Sequence, residues 1–336
     1  MACNQSNHSN QFSSPEINLV IKLTSPLSTV IILANLLIII GIIYNRKLHN
    51  TPNYFFLSLL FADLCTGLAL PFIPSMSLER YMKFSNCLIL HIVPNFLFLS
   101  FLFNLVMVHY ERYFCIVHPL QYSNFWVHRY VPLALLTVWI PPLLYASLPA
   151  FGWNKRSQNQ SCEDCSYKYV FPREFIYLEV YGLLIPAILA IVFMTVRVLW
   201  VTRSQMKDIC KLHRSVQGDV PSDKEHRMNM RYAKCVAVVS LTFMVCWVPY
   251  IVYVNVSILA LWQGRGKYST EPHTHIILSC TGIGSMAIIP VVLGVGNRQY
   301  TKPIRKGLRK FWDSCRMGND AKDFTNVEVG TETTVL

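Results

Sequence analysis

The chain has 336 residues, of which 53% are hydrophobic and only 14% charged, against roughly 25% charged in an ordinary soluble domain. That composition excludes a conventional water-soluble globule. A formal charge of +12 raises nucleic acid as a partner, but the basic residues flank apolar blocks and form no continuous reading surface. Attraction to anionic inner-leaflet lipid accounts for the charge better, so membrane lipid is the expected partner and nucleic acid is not.

No Asp, Glu, Lys or Arg occurs from Leu23 to Asn45, from Phe84 to Tyr110 or from Cys235 to Gly264. Each block exceeds the roughly 20 residues a helix needs to cross a bilayer. Spans are predicted near 17–44, 52–78, 84–117, 130–151, 174–203, 228–261 and 272–296. The residues before Leu23 are polar, with no basic start and apolar core, so the first span is expected to act as the insertion signal. From Arg298 to Trp312, Tyr300, Ile304, Leu308 and Phe311 are spaced among basic residues as in an amphipathic helix lying along a membrane. The expected layout is an extracellular segment 1–16, a membrane domain 17–297, a surface helix 298–312 and a polar cytoplasmic tail 313–336. The fold class is therefore an all-α membrane protein, a seven-transmembrane helix bundle with a short amphipathic eighth helix.

Orientation follows from the loops, because basic residues are retained on the cytoplasmic side. With the N-terminus outside, 21 of the 30 Lys and Arg face the cytoplasm, including Arg46, Lys47, Arg112 and Arg129. Asn4, Asn7 and Asn159 each begin an Asn-x-Ser triplet on the side predicted to be extracellular and are candidate glycosylation sites. No internal repeat of the transporter kind is evident.

Seven spans fit several families, and polar and Pro residues decide among them. The third span starts after Cys87 and ends in Glu111-Arg112-Tyr113, and the 25-residue step from Cys87 to Arg112 is about 37 Å of helix, a full membrane crossing. Asn35 in the first span, Asp63 in the second, Trp139 in the fourth, Pro186 in the fifth and Cys246-Trp247-Val248-Pro249 in the sixth complete the pattern. Together these residues resemble the rhodopsin-like G-protein-coupled receptors over nearly the whole chain. The resemblance implies a receptor and no enzyme, with an outer ligand pocket and a heterotrimeric G protein as the inner partner.

Arg112 cannot lose its proton, so a shut receptor needs a neighbouring acid, which Glu111 can supply. By the resemblance, opening frees Arg112 to pack against the G-protein α subunit, with Tyr113 completing the triplet. The bland alternative is a helix-end Arg snorkelling to the headgroups. Pro249 removes one backbone hydrogen bond from the sixth helix and makes a place where it can bend, and Trp247 beside it reads as the lever. In the seventh span, Met286-Ala287-Ile288-Ile289-Pro290 lacks the Asn that the family carries before this Pro, and Tyr is missing three residues after it. Met194 stands where many relatives have Tyr. Asp63 thereby lacks a usual sodium-site partner, and a water-bridged structural Asp is the competing reading.

Most of the eleven cysteines lie in apolar spans and read as small core residues. Cys87 faces an oxidising compartment, with Cys162 and Cys165 as possible partners; either bridge would pin the second outer loop over the helix mouth. The resemblance, counted back from Phe171-Pro172, favours Cys165. Cys315 follows the surface helix and is either a palmitoylation site or a plain thiol. No metal or other cofactor is expected.

The outer third helix reads His91-Ile92-Val93-Pro94-Asn95-Phe96-Leu97-Phe98. With no carboxylate there, an amine ligand is disfavoured, and the lining favours a lipid-like molecule bound through buried apolar area. Glu179, in the outer fifth span, is a functional candidate because an unpartnered carboxylate in a bundle costs a few kcal/mol. It could accept a ligand hydroxyl or be bonded to a neighbouring Tyr. Pro94-Asn95-Phe96, 146–154, 177–184, Asp208-Ile209-Cys210 and Gln299-Tyr300-Thr301 narrow the resemblance to the bile acid receptors within the family. That implies Asn95, Glu179 and Tyr250 on the polar groups of a bile acid or related steroid, Phe98, Trp247 and Leu178 along the cavity, and Ser257 and Ser285 nearby. His91 stands where those receptors have Tyr at the pocket mouth. It also implies coupling to the stimulatory G protein and cyclic AMP signalling from the plasma membrane.

A carboxylate-bearing bile acid would be repelled by Glu179, so its hydroxylated end is expected to point to Glu179 and Tyr250, leaving Arg80, Lys83, Arg265 or Lys267 for the acid tail. The same machine tuned to a fatty acid, a lysolipid or a steroid sulfate is the nearest alternative. A seven-span metallohydrolase fits poorly: His91 and His109 are about 27 Å apart along one helix, too far to share a metal.

Overall fold

The computed structural model describes residues 15–72, 81–82, 84–122, 126–154, 163–164, 171–215, 222–262 and 272–296. Seven long helices run through them: α1 (Pro15–Tyr44), α2 (Thr51–Ala69), α3 (Phe84–Val117), α4 (Val131–Ser147), α5 (Ile185–Ser215), α6 (Ser222–Trp262) and α7 (Pro272–Gly296). Two two-residue strands form a short antiparallel pair, β1 (Tyr81–Met82) with β2 (Glu163–Asp164). The eighth helix, the three glycosylation triplets, Cys165 and Cys315 lie outside the described residues.

Six of the helices are long and apolar enough to cross a membrane, and α7 contributes a shorter apolar stretch, Ile276–Val292. The bounds of α3 and α7 coincide with the sequence expectation. Three others differ for physical reasons. α2 ends at Ala69 with Leu70 still in the helical region (φ −55, ψ −38), because Pro71 has no N–H for the Gly67 carbonyl, which accepts from Ser28 Oγ at 2.7 Å instead; residues 73–78 of the expected span lie outside the described residues. α5 and α6 run past their predicted inner ends to Ser215 and out to Ser222; hydropathy marks only the apolar part of a helix that continues as a polar one.

Helix termini follow local chemistry. α2 is capped by Asn50, whose side chain accepts the Asn53 N–H, with Pro52 in the first turn. Beyond α4, a 3-10 turn (Leu148–Phe151) closes on Gly152 at φ 108, a left-handed conformation that favours glycine.

Which face of each helix turns inward is set by polar and small residues, since lipid tails are as apolar as leucine. Asn35, Asp63, Ser100, Asn104, His109, Glu111 and Ser285 are all buried, while Leu33, Leu37, Phe61, Leu136, Leu189, Phe193, Leu241 and Val245 face outward. Asn35 bonds the Met286 carbonyl (3.1 Å), joining α1 to α7, and Trp139 donates to Ser58 (2.9 Å), joining α4 to α2. The apolar core runs along α3 through Phe101, Leu102 and Leu105 to Phe243 and Trp247 of α6.

Candidate ligand pocket and signalling core

In the outer half of the bundle, α5 is preceded by one α-helical turn (Arg173–Tyr177) and a π-helical segment (Leu178–Leu184). The Ile185 N–H reaches back five residues to the Val180 carbonyl. Pro186 has no N–H to continue the ladder, so the wider turn forms where the regular pattern is already broken. The extra residue rotates the outer segment relative to the rest of α5, and Glu179 lies on that segment.

Asn95 of α3 meets it: the amide Nδ2 donates to Glu179 Oε2 at 3.1 Å. Tyr145 of α4 and Tyr250 of α6 are both close enough to interact electrostatically with Glu179. The carbonyl oxygen Oδ1 of Asn95 is buried and has no hydrogen-bond partner. Because an ionised carboxylate only accepts, Asn95 must present its NH2 to Glu179, which turns Oδ1 elsewhere. Four helices thus converge on a pair of acceptors, one of them unmet.

Below this pair, Phe98 packs on Trp247 with ring centroids 4.6 Å apart, and Tyr250 stands edge-on to Trp247 at 5.9 Å. Trp247 donates its indole N–H to the buried Ser285 hydroxyl of α7 at 3.0 Å. A Cβ added at Gly282 would stand 3.0 Å from the Trp247 ring, so α7 offers the indole a flat backbone surface that only glycine provides.

Above the pair, His91 meets Phe171 edge-on at 5.7 Å, and Phe171 stacks on Phe175, which stacks on Tyr145. The Tyr145 hydroxyl donates to the Phe175 carbonyl at 2.7 Å. Cys87 is buried beneath this aromatic wall and is disulfide-bonded. Both of its candidate partners fall outside the described residues.

The structure therefore brings together Asn95, Glu179, Tyr250, Phe98, Trp247 and Ser285, with His91 on the aromatic wall above. Two further expected residues have contacts within their own helices. Leu178 is 46% exposed and lies back along Gly182 of its own helix. Ser257 donates to the Tyr253 carbonyl one turn earlier.

At the inner end of α3, the buried Glu111 holds Arg112 at 3.4 Å and accepts a 2.6 Å hydrogen bond from Tyr122, on a one-turn helix (Pro119–Tyr122) outside the span. Burial, followed by the Glu111 charge, pushes the Tyr122 phenol well above its usual range, so its proton stays on. Tyr113 packs against His118 and against Phe193 of α5. Pro249 lies in α6 between this inner region and the pocket.

Asp63 is fully buried, and neither carboxylate oxygen has a partner; Asn35 Oδ1 and Ser100 Oγ are likewise without one. Oxygen atoms suited to water or a hard cation are present, but no cluster of three or more His, Cys, Asp or Glu exists among the described residues.

Sequence reasoning missed Gly282, Tyr145, Phe171 and Tyr122 as parts of these sites. Gly282 and Tyr145 carry no motif of their own; only neighbours from other helices give them a role.

Residues 34–292 match the seven-transmembrane receptor (rhodopsin family) pattern. The chain is 41% identical over 296 residues to the G-protein coupled bile acid receptor 1 of Rattus norvegicus, covering 88% of this chain and 87% of that one. It is 40% identical over 305 residues to the receptor of the same name from Homo sapiens, covering 90% and 89%. The adenosine receptor A2b of Homo sapiens is 24% identical over 294 residues, covering 82% and 86%.

Proposed function

Because this chain belongs to the rhodopsin family of seven-transmembrane receptors, we propose that it is a bile acid receptor of the plasma membrane that signals through the stimulatory G protein to raise cyclic AMP. The family places it among multi-pass membrane receptors that pair a ligand with a G protein, and outside the enzymes. The bile acid assignment rests on the names of the relatives and on the chemistry of the pocket.

One observation carries the ligand chemistry. Asn95 Oδ1 is a buried acceptor with no donor, beside Glu179, another acceptor. Such a pair selects a ligand that brings hydroxyl donors into an otherwise aromatic and aliphatic site. A hydroxylated steroid ring does this; a fatty acid, whose only polar end is a carboxylate, would set like charge against Glu179. The ring hydroxyls therefore enter toward Asn95, Glu179 and Tyr250, and the acid tail points outward to the basic loop residues.

The transduction path runs from Phe98 and Tyr250 to Trp247, then along α6 through the bend at Pro249 to the inner end, where Arg112 leaves Glu111 to receive the G protein. The remaining features of this reading are an outer N-terminus glycosylated at Asn4, Asn7 and Asn159, a Cys87–Cys165 bridge, an amphipathic helix 298–312 and palmitoylation of Cys315.

The test is cyclic AMP in cells expressing the receptor, challenged with bile acids, the matching bile alcohols, fatty acids, lysolipids and steroid sulfates. A response led by bile acids supports the assignment. Equal potency of an acid and its alcohol removes the tail-to-cation contact, and a response led by another lipid class replaces the ligand.

A further inference from the structure

Between the bend in α6 and Arg112, and one turn from Arg112 along α3, three buried polar side chains from three helices meet. His109 of α3 places Nε2 2.7 Å from the Ser240 hydroxyl of α6, and Ser240 lies 2.6 Å from the Thr195 hydroxyl of α5. All three are less than 9% exposed. We propose that His109, Ser240 and Thr195 form a polar clasp that holds α6 against α3 and α5 in the resting receptor, and that it sets ligand-independent activity. The proposal rests on the reading that α6 swings to signal.

Hydrogen positions follow from counting. His109 Nδ1 is 2.8 Å from the Leu105 carbonyl, which only accepts, so Nδ1 carries the ring proton. In the neutral ring Nε2 then accepts from Ser240. The single Thr195 proton is shared between the Ile191 carbonyl at 2.7 Å and the Ser240 oxygen at 2.6 Å. The Ser240 hydroxyl is the middle link between α3 and α5.

Position makes it a clasp rather than mere packing. Ser240 lies nine residues before Pro249, about 13 Å along the helix, on the arm that moves. A bend of about 10° at Pro249 displaces Ser240 by about 2 Å, which carries a 2.7 Å contact beyond hydrogen-bonding range. The described α3–α6 ring contacts, Phe98–Trp247, Phe101–Trp247 and Phe101–Phe243, are aromatic and lie nearer the bend. They move less and tolerate sliding.

The test uses full-length receptor in lipid nanodiscs, with probes introduced as unnatural amino acids at the exposed Arg129 and Lys234. Probe separation and ligand-independent nucleotide exchange on a panel of G-protein classes are both measured. Ser240→Ala is expected to widen the separation and raise exchange roughly three- to ten-fold. Adding His109→Leu should raise it no further, and Ser240→Thr, which keeps the hydroxyl, should stay near wild type. The near-isosteric Thr195→Val, expected to act in the same direction, serves if the His109 variant does not fold. Unchanged separation and exchange in both Ser240→Ala and Thr195→Val overturn the clasp, even if the melting temperature falls. Additive effects of His109→Leu and Ser240→Ala overturn it as well. A widened separation with no response from any G protein supports the clasp and removes the coupling assignment instead.

Discussion

Asn95 and Glu179, 84 residues apart in sequence, are joined by a 3.1 Å hydrogen bond that links α3 to the π-helical segment ahead of α5. The bond fixes the amide orientation and so leaves the Asn95 side-chain oxygen, Oδ1, turned away from Glu179, buried and unmet. A ligand hydroxyl donated to this pair gains a charge-assisted contact on one side and relieves an unsatisfied acceptor on the other.

Glu179→Gln should therefore weaken binding of hydroxylated steroids by roughly ten- to a hundred-fold, the equivalent of about 1.5 to 3 kcal/mol. Asn95→Ala should weaken it too, and the double variant should lose less than the sum, because each partner orients the other. Competition binding on surface-expressed receptor checks this; independent, additive losses would separate the two residues.

Gly282→Ala places a methyl 3.0 Å from the Trp247 ring and must push the indole by a few tenths of an ångström. That loosens its bond to Ser285. Ligand-independent cyclic AMP per surface receptor should rise about two- to five-fold, within the worth of one buried hydrogen bond. Ser285→Ala should move it in the same direction. A fall in both variants would assign Trp247 the opposite sense of motion.

Tyr122→Phe removes one of the two donors to Glu111 among the described residues and leaves the carboxylate to bind Arg112 more tightly. Ligand-stimulated nucleotide exchange should fall about two- to five-fold with ligand affinity nearly unchanged, consistent with the loss of one charge-assisted bond. Since the Tyr122 phenol is raised above its usual value of 10.0, its contribution is full below that pH and declines only as pH rises above it. The gap between wild type and variant should thus be constant from about pH 6 to pH 9. A gap that closes across this window would show that Tyr122 does not hold its proton for Glu111.

The spans, their order and the motif residues were legible in the sequence because each depends on local composition. Blocks free of charge mark membrane passage, and Glu111-Arg112-Tyr113 and Cys246-Trp247-Val248-Pro249 identify themselves in one dimension. The bounds of α3 and α7 followed from the same signals. The break at Pro71 and the polar ends of α5 and α6 were missed, since hydropathy reports neither a local break in a helix nor a helix that leaves the membrane.

The candidate pocket was only half legible. Glu179 and Asn95 stood out as polar groups in apolar spans, but their mutual contact did not. The π-helical register that carries Leu178 and Glu179 was not legible either.

What the sequence by itself determined is a membrane receptor with seven helices, a lever beside a proline and an arginine at the inner end, because charge, apolarity and proline act through the residue that bears them. What only the tertiary structure decided is which faces meet. In lipid an apolar side chain is at home on either side of its helix, so inward faces are set by a few polar and small residues finding partners on other helices: Asn95 with Glu179, Trp247 with Ser285 and Gly282, and His109 with Ser240 and Thr195.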